Sequence, residues 1–292
     1  MSINSIFSIG LSGVNAFASS LEAVSNNIAN SQTTGYKRIQ TDFSDLVTQN
    51  TPELNEAVGT GVTGTGVSAQ QRQLVTEQGA ITRTNSVTDL AIAGEGFFVV
   101  SETADANPAN SPFVFTRSGS FTADSAGNLV NEAGFFLRGA ATNADGTAAL
   151  SDSLNSLETV NVNRAPPLSA TEPAFGALTG VNIEDGFLIG TYANGQSRAL
   201  FEIPLALFVN ANGLEDGADT TFRSTTSAGD LSISRNGDGR AGVIESEALE
   251  ISTVDIGQEF STLIATQRAY SSNARVIAIA DELWRTATET AA

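Results

Sequence analysis

Residues 3–28 read INSIFSIGLSGVNAFASSLEAVSNNI, and residues 256–284 read IGQEFSTLIATQRAYSSNARVIAIADELW. In the first stretch Ile3, Phe7, Gly10, Val14, Phe17, Leu21, Val24 and Ile28 recur at spacings of three and four. That spacing holds one face of a helix for about seven turns. In the second, Ile256, Phe260, Leu263, Gln267, Tyr270, Ala274, Ile277, Asp281 and Trp284 keep the same rhythm. Together they predict a coiled-coil seam with a few soft positions. Gly10 and Gly13 each lower helix propensity by about 1 kcal/mol relative to Ala, so the first helix needs something to pack on it. The other end of the same chain, or a neighbouring copy, is the most economical partner.

Between these ends the period changes. Gly35, after Ser31 to Thr34, supplies a stop for the first helix near Asn30. Tyr36, Ile39, Phe43, Leu46 and Val47 predict a short second helix or an extended arm, and the Gly- and Thr-rich stretch 52–66 reads as a connector. From Gly66 the alternation is near two: a polar strand over 67–73, then Ala91–Ile92, Phe97–Val100, Phe113–Phe115, Phe121, Leu129–Val130 and Phe135–Leu137, separated by turns such as Ala126-Gly-Asn128. This is antiparallel β patterning. It resumes over 178–209, with the acidic, Gly-rich segment 230–245 leading to the last helix, whereas 141–177 carry few large apolar groups.

The fold class expected is therefore α+β, mainly β: long N- and C-terminal helices pairing as a coiled coil, with a discontinuous antiparallel β domain inserted between them. The divisions are 1–32 (N-terminal helix), 33–66 (connector), 67–140 and 178–247 (the two β halves), 141–177 (a reduced insertion or junction) and 248–292 (C-terminal helix).

Composition narrows the function. The 292 residues are 41% apolar, enough for a core, and carry 32 acidic against 14 basic side chains, a net charge of −18. Such a surface repels nucleic acid and anionic membrane. Neither cysteine nor histidine occurs, which removes disulfides, thiolate or imidazole metal sites and nucleophile–His–acid triads. Lys37 and Arg38 are the first positive charges, so no signal peptide or membrane span is expected.

The pattern Gly59-Thr-Gly61-Val-Thr-Gly64 lacks the preceding strand and following helix that a dinucleotide loop needs, and reads as a glycine-rich connector. Asn236-Gly-Asp238-Gly with Glu245 lacks the alternating acidic ligands of a calcium loop and reads as a turn. Carboxylate pairs such as Asp124 with Glu132, or Glu245 with Glu247, are expected by chance among so many acids. No catalytic, cofactor-binding or metal residues are assigned, and no cofactor is expected.

Asn26-Asn-Ile-Ala-Asn30 followed by Thr33-Thr-Gly35-Tyr36-Lys37 resembles the N-terminal signature of the flagellar rod and hook family of axial proteins. Ser252-Thr-Val-Asp255, Glu259-Phe260 and Gln267-Arg-Ala-Tyr270 with Asn273 resemble its other end, and Asp89 to Gly94, Gly96-Phe-Phe98 and Thr116 to Phe121 resemble its β segment. Gly190-Thr-Tyr192-Ala-Asn-Gly-Gln196 with Ile203-Pro-Leu-Ala206 is most similar to hook members, although hook proteins commonly carry outer β domains where this chain has only 141–177.

The resemblance implies a non-enzymatic subunit that polymerises into a hollow helical tube, with paired terminal helices forming the inner wall. It also implies export by the flagellar type III apparatus without a cleaved leader, and a place outside the cell in the hook or basal body. The partners implied are other copies of the chain, rod and hook–filament junction proteins, a hook cap and the export apparatus. The assembly contacts expected are Phe17, Leu21, Val24, Ile28, Phe260, Leu263, Tyr270 and Ile277. Asn26, Asn27, Asn30 and Gly35 are expected to set the helix-to-connector turn. The neighbouring reading is a distal rod subunit. A monomeric β protein with a helical hairpin is the reading from another class.

Overall fold

The computed structural model describes residues 3–49, 62–104, 113–148, 150, 153–165 and 175–290. These form two compact units, one of residues 1–31, 38–74 and 254–292, the other of 32–37 and 75–253.

The first unit contains helix α1 (Ile3–Ala29), strands β1 (Ile39–Gln49) and β2 (Val62–Gln73), and the 35-residue helix α2 (Ile256–Thr290). The two helices pack along one another, and α1 also lies on the β1–β2 hairpin. The face that α1 buries is Gly10, Gly13, Ala16, Ser20, Ala23, Val24 and Asn27. On α2 the buried row is Glu259, Thr266 and Ala280, with Leu263, Asn273 and Ile277 half-buried.

This corrects the stripe expected from apolarity. Phe7 on α1 is exposed, and so are Phe260, Gln267, Ala274 and Asp281 on α2, which sit one residue after the buried heptad row. Small side chains take the seam because they let the helices approach. A Cβ on Gly10 would stand 2.9 Å from Ile277 Cγ1.

The stretch expected as a short helix or extended arm is β1, paired antiparallel with β2 from Ile39↔Gln73 to Gln49↔Val62. The strand 67–73 therefore belongs to a hairpin and not to the β domain. A bulge falls at Leu46/Val47, opposite Gly66, whose φ of +140° suits glycine. The hairpin is tied to α1. The Val67 N–H donates to Ser12 Oγ (3.2 Å) and Gln71 Nε2 to the Ser19 carbonyl (2.9 Å), and the rings of Phe17 and Phe43 meet at 5.3 Å. Of the connector expected over 33–66, residues 50–61 lie outside the described residues, as does the first half of the glycine pattern at 59–64.

The second unit is the β domain. Strand β3 (Phe97–Ser101) lies at its centre and is buried along its length. Phe98 and Val100 enter one core with Phe121, Leu129, Leu137, Leu188 and Phe201, while Phe97 and Val99 enter another with Phe115, Phe208 and Phe222. A continuous apolar run is what a strand covered on both faces requires. The two halves expected from sequence join in one sheet: Phe201 pairs with Ala141, and Leu205 with Phe98.

Two expected boundaries move. Residues 248–250 form a strand paired with residues 81–83, so helix begins at Ile256. Within 141–177, Leu157, Val160 and Phe175 are core residues, and Glu158–Thr159 pairs with Gly139 and Arg138. Three well-placed side chains suffice to anchor a polar segment that composition alone assigns to a loop.

Candidate assembly surface

The seam of the first unit is held by one buried polar group as well as by close packing. Asn27, in the last turn of α1, uses its side chain as a clamp: Nδ2 donates to the Ile39 carbonyl (2.8 Å) and Oδ1 accepts the Ile39 N–H (2.8 Å). The same Nδ2 reaches Glu259 Oε2 at 3.3 Å, and Arg38 Nε donates to Glu259 Oε1 at 2.6 Å. Glu259 is 0% exposed. A carboxylate so buried is tolerated only when its oxygens are paired, so these contacts fix the register of α2 against α1 and β1.

A second ionic group lies inside the β unit. Glu250, also 0% exposed, accepts from Lys37 Nζ (2.5 Å), the Gly79 N–H (2.7 Å) and Arg117 Nη1 (3.2 Å). Lys37 also donates to the Glu77 carbonyl. Burial pushes the Lys37 ammonium and the Arg117 guanidinium below their ordinary values, and the Glu250 charge opposes this. Successive residues thus serve different units, Lys37 the β domain and Arg38 the helical unit.

The expected turn residues have distinct parts. Asn26 and Asn30 close the end of α1, where the Asn30 N–H and Nδ2 both donate to the Asn26 carbonyl, at 3.1 and 2.9 Å. Asn27 is the clamp. Gly35 belongs to the β unit, with φ +70°, and a Cβ there would lie 2.6 Å from the Ser118 backbone nitrogen. Asn236 closes a turn by accepting the Ile244 N–H at 2.6 Å.

Of the expected contact residues, Val24 is buried. Phe17, Leu21, Ile28, Leu263 and Ile277 are half-buried, and Phe260 and Tyr270 are exposed. Sequence reasoning did not expect Glu259 and Arg38 to be buried, because a lone charge on an amphipathic helix, or just before a strand, usually faces solvent. The one available signal was Glu259 standing next to Phe260 in the heptad row.

Large apolar side chains are uncovered at Phe7 and Leu11 of α1, at Phe43, Leu46 and Val47 of β1, and along the outer side of α2. Ile264 is 52% exposed, Ile279 57% and Leu283 55%, with Phe260 (50%) at the edge of that side, while Trp284 (51%) continues the inner row past Ala280. Full burial of each such side chain is worth about 1.5–3 kcal/mol, a strong drive toward a partner. No described helix is long and apolar enough to cross a membrane.

Three family models match the chain: "Flagella basal body rod protein" over residues 7–37, "Flagellar hook protein FlgE/F/G D1 domain" over 91–165 and "Flagellar basal body rod FlgEFG protein C-terminal" over 245–290. The flagellar basal-body rod protein FlgG of Caulobacter vibrioides is 30% identical over 284 residues, covering 93% of this chain and 94% of the relative. The chain belongs to the flagellar hook and rod family.

Within the hook and rod family the similarities run both ways. The hook protein FlgE of Brucella suis is 27% identical over an alignment of 404 positions, covering 97% of this chain and 98% of the relative. That alignment is longer than the 292-residue chain, so this hook relative carries residues that the chain lacks. The hook protein FlgE of Rhizobium meliloti is 44% identical over 139 residues, 48% of this chain and 31% of the relative. Both kinds of relative are named as parts of the flagellar hook or basal body, and the names describe structural proteins.

Proposed function

We propose that this chain is a structural, non-enzymatic subunit of the bacterial flagellar hook, polymerising into a hollow curved tube that passes torque from rod to filament. The observation that carries the reading is the apolar outer side of α2, on a helix whose inner side is already filled by α1. Two unlike surfaces on one subunit, engaging in a heterologous and non-closing way, generate a helical polymer. The 44% identity to a hook protein over 139 residues favours hook.

Phe260 and Tyr270 then act as contacts between copies. Val24, with Phe17, Leu21, Ile28, Leu263 and Ile277, holds the helix pair that presents them. The partners are other copies of the chain, with rod, junction and cap proteins at the tube's ends and the export apparatus before assembly. Nucleic acid and membrane insertion have no part in the reading, and the subunit works outside the cell, exported without a cleaved leader.

The distal rod is the second reading, favoured by length: the alignment to the rod relative spans 284 residues without the excess seen against the hook relative. Electron microscopy of the concentrated protein, with circular dichroism before and after assembly, tests both. Curved tubes with a gain in helical signal support the hook, and straight tubes support the rod. A persistent monomer of full helix content defeats the polymer reading.

A further inference from the structure

Glycine follows asparagine at three places in the chain: Asn194-Gly195, Asn212-Gly213 and Asn236-Gly237. An asparagine in that setting can react with its own backbone. The next residue's nitrogen attacks the side-chain carboxamide carbon, and glycine leaves that nitrogen unhindered because it has no Cβ. The requirement is geometric: the carboxamide must lie over the following nitrogen, and that nitrogen must be able to leave its own hydrogen bond. The three pairs meet this requirement very differently.

Asn194 and Gly195 stand in a short hairpin loop between the strands Phe187–Tyr192 and Ser197–Glu202. The Gly195 N–H donates to the Tyr192 carbonyl (2.9 Å), the Tyr192 N–H donates to the Gln196 carbonyl (3.0 Å), and Gly195 takes a φ of +80°. The Gln196 N–H donates to Asn194 Oδ1 at 3.0 Å. A bond from a side-chain oxygen to the N–H two residues on folds the carboxamide back over the intervening nitrogen, here that of Gly195. The same N–H polarises the carboxamide and steadies the oxyanion formed on attack. Residues 193–197 are all exposed, and a Cβ built on Gly195 meets nothing within 4 Å, so this turn opens without disturbing a core.

The other two pairs are held back from reaction. Asn236 Oδ1 accepts the Ile244 N–H at 2.6 Å, which turns the carboxamide across its loop, and the Gly237 N–H donates to the Gly242 carbonyl at 3.0 Å. Both reacting groups are thus engaged with a later part of the chain. Asn212 is exposed, but it lies in the single helical turn Ala211–Gly213, where the Gly213 N–H donates to the Asn210 carbonyl at 3.0 Å. A Cβ on Gly213 would stand 2.4 Å from the Ser227 carbonyl oxygen, so the backbone there cannot turn without displacing the segment around Ser227.

We infer that Asn194 is a site of self-modification in the folded chain, converted through a succinimide to aspartate and isoaspartate. The Gly195 nitrogen gives its proton to solvent hydroxide and forms a bond to Asn194 Cγ. The Cγ–Nδ2 bond then breaks, and ammonia leaves with a proton from water. A further water opens either carbonyl of the ring, so the net change is one water consumed and one ammonia released. Opening at the side-chain carbonyl gives aspartate, a new negative charge on a chain that already carries −18. Opening at the backbone carbonyl gives isoaspartate, which also lengthens the main chain inside a tight loop. The reaction depends on the hairpin alone and is independent of the polymer reading above.

Peptide mapping tests it, since trypsin places the three pairs in separate peptides, residues 165–198, 199–223 and 236–240. The full chain is held in mildly alkaline buffer, folded in one series and in denaturing urea in another, and each peptide is followed by mass spectrometry for conversion of amide to acid. Labelling by an isoaspartyl methyltransferase reports the second product. In urea the three pairs should react at similar rates. In the folded chain Asn194 should convert first, at close to its rate in urea, whereas Asn236 should be slowed by about tenfold or more by the two hydrogen bonds it must release. Conversion led by Asn212 or Asn236 in the folded chain, equal rates at all three pairs, or an Asn194 slowed by folding as much as Asn236 overturns the inference.

Discussion

Gly13 of α1 and Asn273 of α2 meet with no room for one more methyl group: a Cβ built on Gly13 would stand 2.9 Å from the Asn273 side-chain oxygen. The seam is therefore closed by the absence of a side chain, and the helix-propensity cost of glycine is accepted in exchange for close approach. Gly13→Leu should force the helices apart and destabilise the helical unit by about 1–3 kcal/mol, the range for overpacking a filled site. Circular dichroism should show helical signal lost before the β domain melts. An unchanged helical transition would mean that the seam is not closed at Gly13.

Glu259 joins Asn27 and Arg38 in one buried group, so removing it takes a charged acceptor from the Arg38 guanidinium and one acceptor from the Asn27 amide. Breaking a buried pair from one side costs about 3–5 kcal/mol, and the partial exposure of Arg38 argues for the lower end. Glu259→Ala should therefore lower the stability of the helical unit by about 3 kcal/mol in urea unfolding followed by helical signal. Glu259→Gln, which keeps an acceptor oxygen, should cost less. Equal costs would show that the charge accounts for the loss and that the volume and remaining acceptor oxygen of the side chain do not matter.

In the β unit the corresponding comparison is between Glu250 and Lys37. Glu250→Ala takes one acceptor from Lys37, Arg117 and the Gly79 N–H together, whereas Lys37→Met leaves Glu250 bonded to Arg117 and Gly79. It also removes a charge that burial already disfavours. Lys37→Met should be the milder change by about 2 kcal/mol or more, because replacing a buried ion with an apolar side chain is often near neutral. Denaturant unfolding followed by β-sheet signal checks this. A Lys37→Met chain as unstable as Glu250→Ala would show that the ammonium itself holds the segment.

Much of this arrangement was legible in the residues. Phe97-Phe-Val-Val100 announces a strand covered on both faces, and the pairing of the terminal helices follows from two long three-four repeats with no room to bury themselves. The phase of those repeats was not legible, because reading them by the largest apolar side chains selects Phe260 over Glu259 and Val14 over Gly13. Glycine at a helix seam and glutamate in a core are chosen for approach and pairing, properties of the partner that one segment cannot display. The hairpin was obscured for a related reason. Ile39, Phe43, Leu46 and Val47 fit helical spacing as well as alternation, and what makes them a strand is the distant segment Val62–Gln73. The Arg38–Glu259 pair spans 221 residues of sequence and left no local trace.

Glu202 offers a test of burial against pairing. Its side chain is 2% exposed and accepts from Arg235 Nη1 at 2.6 Å, while the Arg235 side chain is 45% exposed. Burial raises the carboxyl above its ordinary value, and the Arg235 charge and hydrogen bond only partly oppose it. With the folded value above the unfolded one, the folded state holds the proton more tightly across the window between them. The contribution of Glu202 is then full below the ordinary carboxylate range, about pH 4, and is lost as pH rises through the folded value. Glu202→Gln keeps an acceptor for Arg235 and does not titrate. The stability of the native chain relative to Glu202→Gln should therefore fall as pH is raised from about 4 and level off once pH exceeds the folded value, measured as the difference between urea midpoints at each pH. A difference that grows with pH would show that Arg235 outweighs burial and holds the carboxyl below its ordinary value.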